Sequence, residues 1–171
     1  MTSIDTIFGD DQNKSTDSEK LTNAKTFAVR LSVHQEADST TLKISPAAYA
    51  QKTWSGFTFP RYVYCVLSDI ELQLTQTGDG AGYSYLKFTQ DCNSRMGDDV
   101  DDPDWSFNVA LYDNGGAFIR NIYLGEWEHK CGKQLVELQE NFSWVIGSIN
   151  PILFAQNVTL TWTFKQEVSP C

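Results

Sequence analysis

The chain has 171 residues, a net charge of −9 and 13% aromatic residues, which lies outside the low-hydrophobicity regime of disorder and predicts a chain that folds on its own. With no cluster of Lys or Arg against that acidic balance, a phosphate backbone is repelled and no nucleic-acid partner is expected. Apolar runs such as Tyr62 to Leu67 fall far short of the roughly 20 residues of a spanning helix, so no transmembrane segment is expected, and residues 1 to 25 show no secretory signal, which leads to an expectation of cytoplasmic synthesis.

Residues 1 to 25 set Asp5, Asp10, Asp11, Asp17 and Glu19 against Lys14, Lys20 and Lys25, with one apolar pair at Ile7-Phe8. They read as a polar N-terminal arm ahead of a single β-sandwich domain over 26 to 171. The arm can lie on its own sheet or on a neighbouring subunit, which makes it the natural route to a homo-oligomer. From Phe27 the pattern has period two, with Phe27, Val29, Leu31 and Val33 on one face, and predicts a half-buried strand. Trp54, Phe57 and Phe59 follow in a segment that contains Gly and Pro. A continuous run from Tyr62 to Leu67 leads into the alternation of Ile70, Leu72 and Leu74 with Glu71, Gln73 and Thr75. Gly78 to Gly82 then supplies the positive φ angles of a hairpin turn before a strand from Tyr83 to Phe88.

Between Asp91 and Asp104 the chain carries Asp91, Asp98, Asp99, Asp101, Asp102 and Asp104 against a single Arg95. Crowded carboxylates repel unless solvent or a hard cation screens them, and Ca²⁺ takes oxygens from such groups. Asp98, Asp99, Asp101, Asp102 and Asp104 are therefore the candidate metal ligands, and Ca²⁺ the one cofactor entertained. The spacing does not meet the EF-hand template, because the third ligand position counted from Asp99 is Pro103 and no Gly or twelfth-position Glu follows. A solvated acidic loop is the plainer explanation.

Phe107, Val109 and Leu111 alternate up to Asp113-Asn114-Gly115-Gly116, a second hairpin turn, and the chain returns through Phe118 to Leu124. Lys133 to Glu140 gathers good helix formers and predicts at most a short helix. Phe142 to Ile146 and Ile152 to Ala155 are expected to be short strands around a turn at Gly147 to Pro151. In the last strand Val158, Leu160, Trp162 and Phe164 face inward, while Thr159, Thr161, Thr163 and Lys165 face solvent or a ligand. Such a series, with turns every 8 to 15 residues or so and no alternating helices, predicts an all-β, antiparallel β-sandwich, with a jelly roll as the favoured topology and an immunoglobulin-like arrangement next.

Cys65, Cys92, Cys131 and Cys171 are too widely spaced for a zinc site. Two disulfides are arithmetically open in three connectivities, but without a secretory signal free thiols are the expectation. The two histidines, His34 and His129, are too few for a cupin metal site, and no G-x-S-x-G elbow exists. Glu126 and Glu128 flank Trp127 as paired carboxylates of a glycosidase would, yet a charged edge strand explains them equally. No enzyme is expected.

Aromatic faces complement the C–H face of a pyranose, so Trp54, Trp105 and Trp127 are the candidate ligand-binding residues, whereas Trp144 and Trp162 fall in packing phases. The leading functional reading is a non-enzymatic protein that recognises a glycan or other cell-surface ligand through sandwich loops, with Ca²⁺ assistance from the aspartate loop. The alternatives are a structural subunit of a capsid, spike or fibre and a membrane-damaging toxin whose Ser/Thr-rich hairpin refolds across a bilayer.

Overall fold

The computed structural model describes residues 4–8, 25–31, 49–61, 65–96, 105–128, 130–164 and 168–171. These form eleven strands and one helical turn: β1 (Ile4–Phe8), β2 (Lys25–Leu31), β3 (Gln51–Phe57), β4 (Cys65–Gly78), β5 (Ala81–Cys92), β6 (Ser94–Met96), β7 (Trp105–Tyr112), β8 (Phe118–Trp127), β9 (Gly132–Ser143), α1 (Pro151–Phe154), β10 (Asn157–Phe164) and β11 (Val168–Pro170). One sheet has the order β1-β2-β10-β7-β8, the other β3-β4-β5-β9, and β6 pairs with β11 in a two-stranded ribbon. Every pairing is antiparallel. The expected β-sandwich is thus the fold. The chain crosses between the two larger sheets after β2, between β5 and β7 by way of β6, after β8 and after β9, and β10 lies between β2 and β7.

Period-two alternation builds the core from both sheets. Trp54, Leu72, Leu74, Leu86 and Phe88 point inward from one sheet and meet Phe107, Val109, Leu111, Leu160 and Trp162 from the other in a single buried cluster. Phe88 sits 5.1 Å from Phe107 across the interface, and Trp105 meets Trp162 edge to face at 4.9 Å, a favoured aromatic geometry. Two polar side chains that enter this interior, Gln90 and Lys52, are held by hydrogen bonds. Gln90, fully buried, donates to the carbonyls of Lys130 and Gly132 and accepts from Trp127 Nε1 and the Lys130 amide. Lys52, 4% exposed, donates through Nζ to the carbonyls of Leu153 and Ala155 at the end of α1.

Both hairpins take the expected form. Gly80 adopts φ +72° in the β4–β5 turn, and in the β7–β8 turn the Asp113 carboxylate accepts from the amides of Gly115 and Ala117. The arm is more engaged than its composition implies, because Ile4–Phe8 pairs along β2 of its own sheet, Ile4 opposite Leu31 and Phe8 opposite Phe27. Residues 32–34 and 62–64 of the expected strands, and Lys165, lie outside the described residues.

Three expectations are corrected. The segment 133–140 is extended, part of β9, which pairs with β5 from Ala81 opposite Ser143 to Cys92 opposite Gly132. That long ladder overrides the weak preference of Gln, Glu and Leu for helix. Ile152 to Ala155 is not a strand: Pro151–Phe154 forms α1, with the Asn150 side chain accepting from the amides of Ile152 and Leu153 and Pro151 at the first position, both helix-start signals. The preceding segment is extended only to Ser143 and then turns, the Ser148 amide donating to the Val145 carbonyl.

The cysteines are paired rather than free. Cys65 and Cys92 stand opposite each other on β4 and β5 and are bonded, as are Cys131 and Cys171. Register places the first pair side by side, and the second ties the C-terminal residue back to the β8–β9 connection.

Candidate functional site

The outward face of the β3-β4-β5-β9 sheet follows from register, because residues directly opposite share a face. Three rows cross it. Gln51, Thr75, Tyr83 and Asn141 form the first; Thr53, Gln73, Tyr85 and Gln139 the second; Ser55, Glu71, Lys87 and Glu137 the third. Of these twelve side chains only Glu71, Lys87 and Glu137 are charged, and Lys87 pairs with Glu71 at 3.7 Å. The rest offer amides, hydroxyls and two phenol rings. This is the donor and acceptor stock for an uncharged polyhydroxylated ligand.

Tyr83 and Tyr85 alternate on β5, so their rings project from the same face roughly 7 Å apart along the strand. Each is partly exposed. The Tyr85 hydroxyl donates to Glu137 Oε2 at 2.8 Å, and this bond to a carboxylate raises the Tyr85 pKa above the ordinary phenol value. Gln51 Nε2 donates to Thr75 Oγ1 at 3.1 Å in the first row. These links hold the side chains in place before any ligand arrives, which lowers the ordering cost of binding.

The face ends in a cleft of about 420 Å³ lined by Ser55, Gly56, Phe57, Asp69, Ile70, Glu71 and Lys87. Two irregularities open it. The β3–β4 ladder shifts register between Ser55 and Phe57, and the β4–β5 ladder between Ser68 and Glu71. Gly56 at the first has φ +92° and Asp69 at the second φ +53°, left-handed values that Gly and Asp tolerate best. Bulges re-aim side chains and bend the strand, and here they set a carboxylate, an ion pair and an open floor beside the tyrosine rows.

The residues expected to carry function are not brought together. Trp54 and Trp105 are fully buried; Trp54 Nε1 donates to the Gln156 carbonyl, and Trp105 packs against Phe88, Phe107, Trp162 and Phe164. Neither presents a ring face to solvent, so both are corrected from ligand platform to core. Trp127 is partly exposed, anchored by Gln90, with Lys130 Nζ 5.9 Å from its ring centroid. Asp98, Asp99, Asp101, Asp102, Asp104 and His129 lie outside the described residues. Among the described residues no group of three His, Cys, Asp or Glu could hold a metal ion, and no helix is long and apolar enough to cross a membrane. Glu126 lies on β8, the edge strand of its sheet.

No protein-family model matches the chain, and no curated protein matches it. Among solved structures, the enzymatically active domain of bacteriophage CBA120 tailspike protein 4 is 9% identical with a TM-score of 0.28, over 98% of this chain and 18% of that one. The chain therefore spans less than a fifth of that protein's length. The CBM22-1 xylan-binding domain from Paenibacillus barcinonensis is 9% identical with a TM-score of 0.21, over 98% of this chain and 81% of that one. A family 29 carbohydrate-binding module from Piromyces equi is 10% identical with a TM-score of 0.18, over 84% of this chain and 91% of that one. Likeness this slight says nothing about the site.

Proposed function

We propose that the chain is a non-enzymatic glycan-recognition domain and that the outward face of the β3-β4-β5-β9 sheet, rather than the loops at an end of the sandwich, is its binding surface. The observation that carries this reading is the register that lines Tyr83 and Tyr85 with Thr75, Gln73, Asn141 and Gln139. A solvated sheet face is more often studded with mixed charges. Here the first and second rows hold none, while rings able to stack on sugar C–H faces alternate with amides able to bond sugar hydroxyls. The cleft at the paired bulges would receive one end of such a chain, with Asp69 and Glu71 as acceptors.

The aspartate loop is a separate element of the proposal: Ca²⁺ held by Asp98, Asp99, Asp101, Asp102 and Asp104 would stiffen it. A glycan array probed with and without chelator tests both parts. Array signal that Tyr83→Ala and Tyr85→Ala abolish supports the face, and signal that survives both substitutions overturns it. Loss of signal on chelation supports the Ca²⁺ element; an unchanged signal removes it.

A further inference from the structure

At the end of the sandwich opposite Cys92 and Trp105, several turns converge on one apolar tip. The Trp144 amide donates to the Gly80 carbonyl of the β4–β5 turn, and the Gln156 amide to the carbonyl of Tyr112 beside the β7–β8 turn. Arg120 Nη1 donates to the Ser143 carbonyl, which joins the start of β8 to the same place. On this tip Val145 is 75% exposed, Ile146 72%, Ile149 62%, Phe118 56% and Phe154 52%. Burying large aliphatic side chains is among the strongest drives in folding, so this concentration in one place calls for a covering phase.

We infer that this tip is an interfacial anchor that enters the surface of an uncharged lipid bilayer, and that the domain stands on a membrane by it. The inference is independent of the glycan reading. Charge is the first argument. Residues 141–164 contain no Asp, Glu, Lys or Arg, and among the described residues the nearby Asp113 carboxylate is engaged by the amides of Gly115 and Ala117 and Arg120 by the Ser143 carbonyl and the Phe142 ring. Only Asp79 stands exposed in the adjoining turn.

Local hydrogen bonding is the second. In this loop the Val145 carbonyl accepts from both the amide and the hydroxyl of Ser148, and Asn150 caps α1 while donating to Gln76, which lowers the cost of seating the loop at the headgroup boundary, where water serves the remaining amides. Area is the third. Five such side chains expose on the order of 600 Å², under the roughly 800 Å² per partner of a stable protein interface. Trp144 and Tyr112 border the aliphatic tip, the arrangement of aromatic belts at a membrane interface. The net charge of −9 disfavours anionic lipid, which points to zwitterionic headgroups.

Sedimentation with glycolipid-free phosphatidylcholine vesicles tests the anchor. The full chain is expected to pellet with them, and a triple variant Val145→Ser, Ile146→Ser, Ile149→Ser to partition at least about tenfold less while keeping its thermal midpoint, since the replaced side chains are exposed. Tryptophan emission should shift to the blue on vesicles, and Trp144→Phe should remove most of that shift. No pelleting, pelleting that requires phosphatidylserine, or binding that survives the triple substitution overturns the anchor. So does light scattering that shows a dimer which the triple variant loses, because a second copy would then be the cover.

Discussion

The Tyr85 hydroxyl reaches diagonally across the β5–β9 ladder to Glu137, the residue opposite Lys87, at 2.8 Å. A phenol that donates to a carboxylate holds its proton more tightly, so its pKa is raised. The folded state then keeps a proton that the unfolded chain has released. The stabilisation is complete below the ordinary phenol pKa and is lost as pH rises through the folded value. Tyrosinate absorbance of Tyr85→Phe against the parent chain isolates this one titration, and Glu137→Gln should bring it back down toward the ordinary value. An unchanged titration in Glu137→Gln would separate the two side chains.

Lys52 has the opposite sign. Burial lowers its pKa to about 8, so between about 8 and the ordinary lysine value of 10.5 the unfolded chain binds a proton that the folded chain has shed. Stability from this group therefore grows as pH rises through that window and is absent below it. The full increment is up to about 3 kcal/mol. Thermal melts at pH 7.5 and pH 9.5, which take in roughly the lower half of that window, should show a rise in the parent chain that Lys52→Met does not share.

Gly82 is the tightest point of the inward face of β5. A Cβ there would stand 2.7 Å from the Thr75 carbonyl oxygen and 3.1 Å from Ile152 Cδ1, and the first of these is backbone that cannot swing away. Gly82→Ala is expected to destabilise by about 1–3 kcal/mol, lowering the melting midpoint by roughly 5 °C. A midpoint equal to that of the parent would show that the β4–β5 ladder shifts freely.

The disulfides join residues 27 and 40 apart in sequence, and closing loops of that length contributes about 4 kcal/mol each in the chain-entropy account. Peptide mapping without reductant should recover Cys65 with Cys92 and Cys131 with Cys171. Cys171→Ser should lower the melting midpoint.

What the sequence could disclose depended on whether the deciding interaction was local. The β7–β8 hairpin was legible because Asp113, Gly115 and Gly116 carry its turn within five residues, and β10 because Val158, Leu160, Trp162 and Phe164 alternate without interruption. In β3, Gly56 at a bulge breaks the alternation, so the segment gave no strand signal beyond its aromatic residues and its Gly and Pro. In β9, partners on β5 outweigh helix formers, and those partners lie about fifty residues away in sequence. The start of α1 did carry its own signal in Asn150-Pro151, masked by the apolar run Ile152-Leu153-Phe154.

The candidate face was hidden for the same reason. Tyr83 to Phe88 was legible as a strand, but the neighbours of Tyr83 and Tyr85, which are Gln73, Thr75, Gln139 and Asn141, come from two other strands, one of which read as helix. Tryptophans attracted the sugar-stacking reading instead, and Trp54 and Trp105 went to the core because large rings fill it best. Cysteine pairing needed the register that sets Cys65 against Cys92, which spacing along the chain could not supply.

The most direct test of the glycan face is equilibrium binding to an array-identified glycan for the parent chain and for Tyr83→Ala, Tyr85→Ala and Trp127→Ala. Affinity is predicted to fall about 10- to 100-fold for each tyrosine variant, roughly 1.4–3 kcal/mol, and to stay within about twofold for Trp127→Ala. Loss of binding in Trp127→Ala with both tyrosine variants unimpaired would contradict the assignment and move recognition to the β8–β9 end of the sandwich.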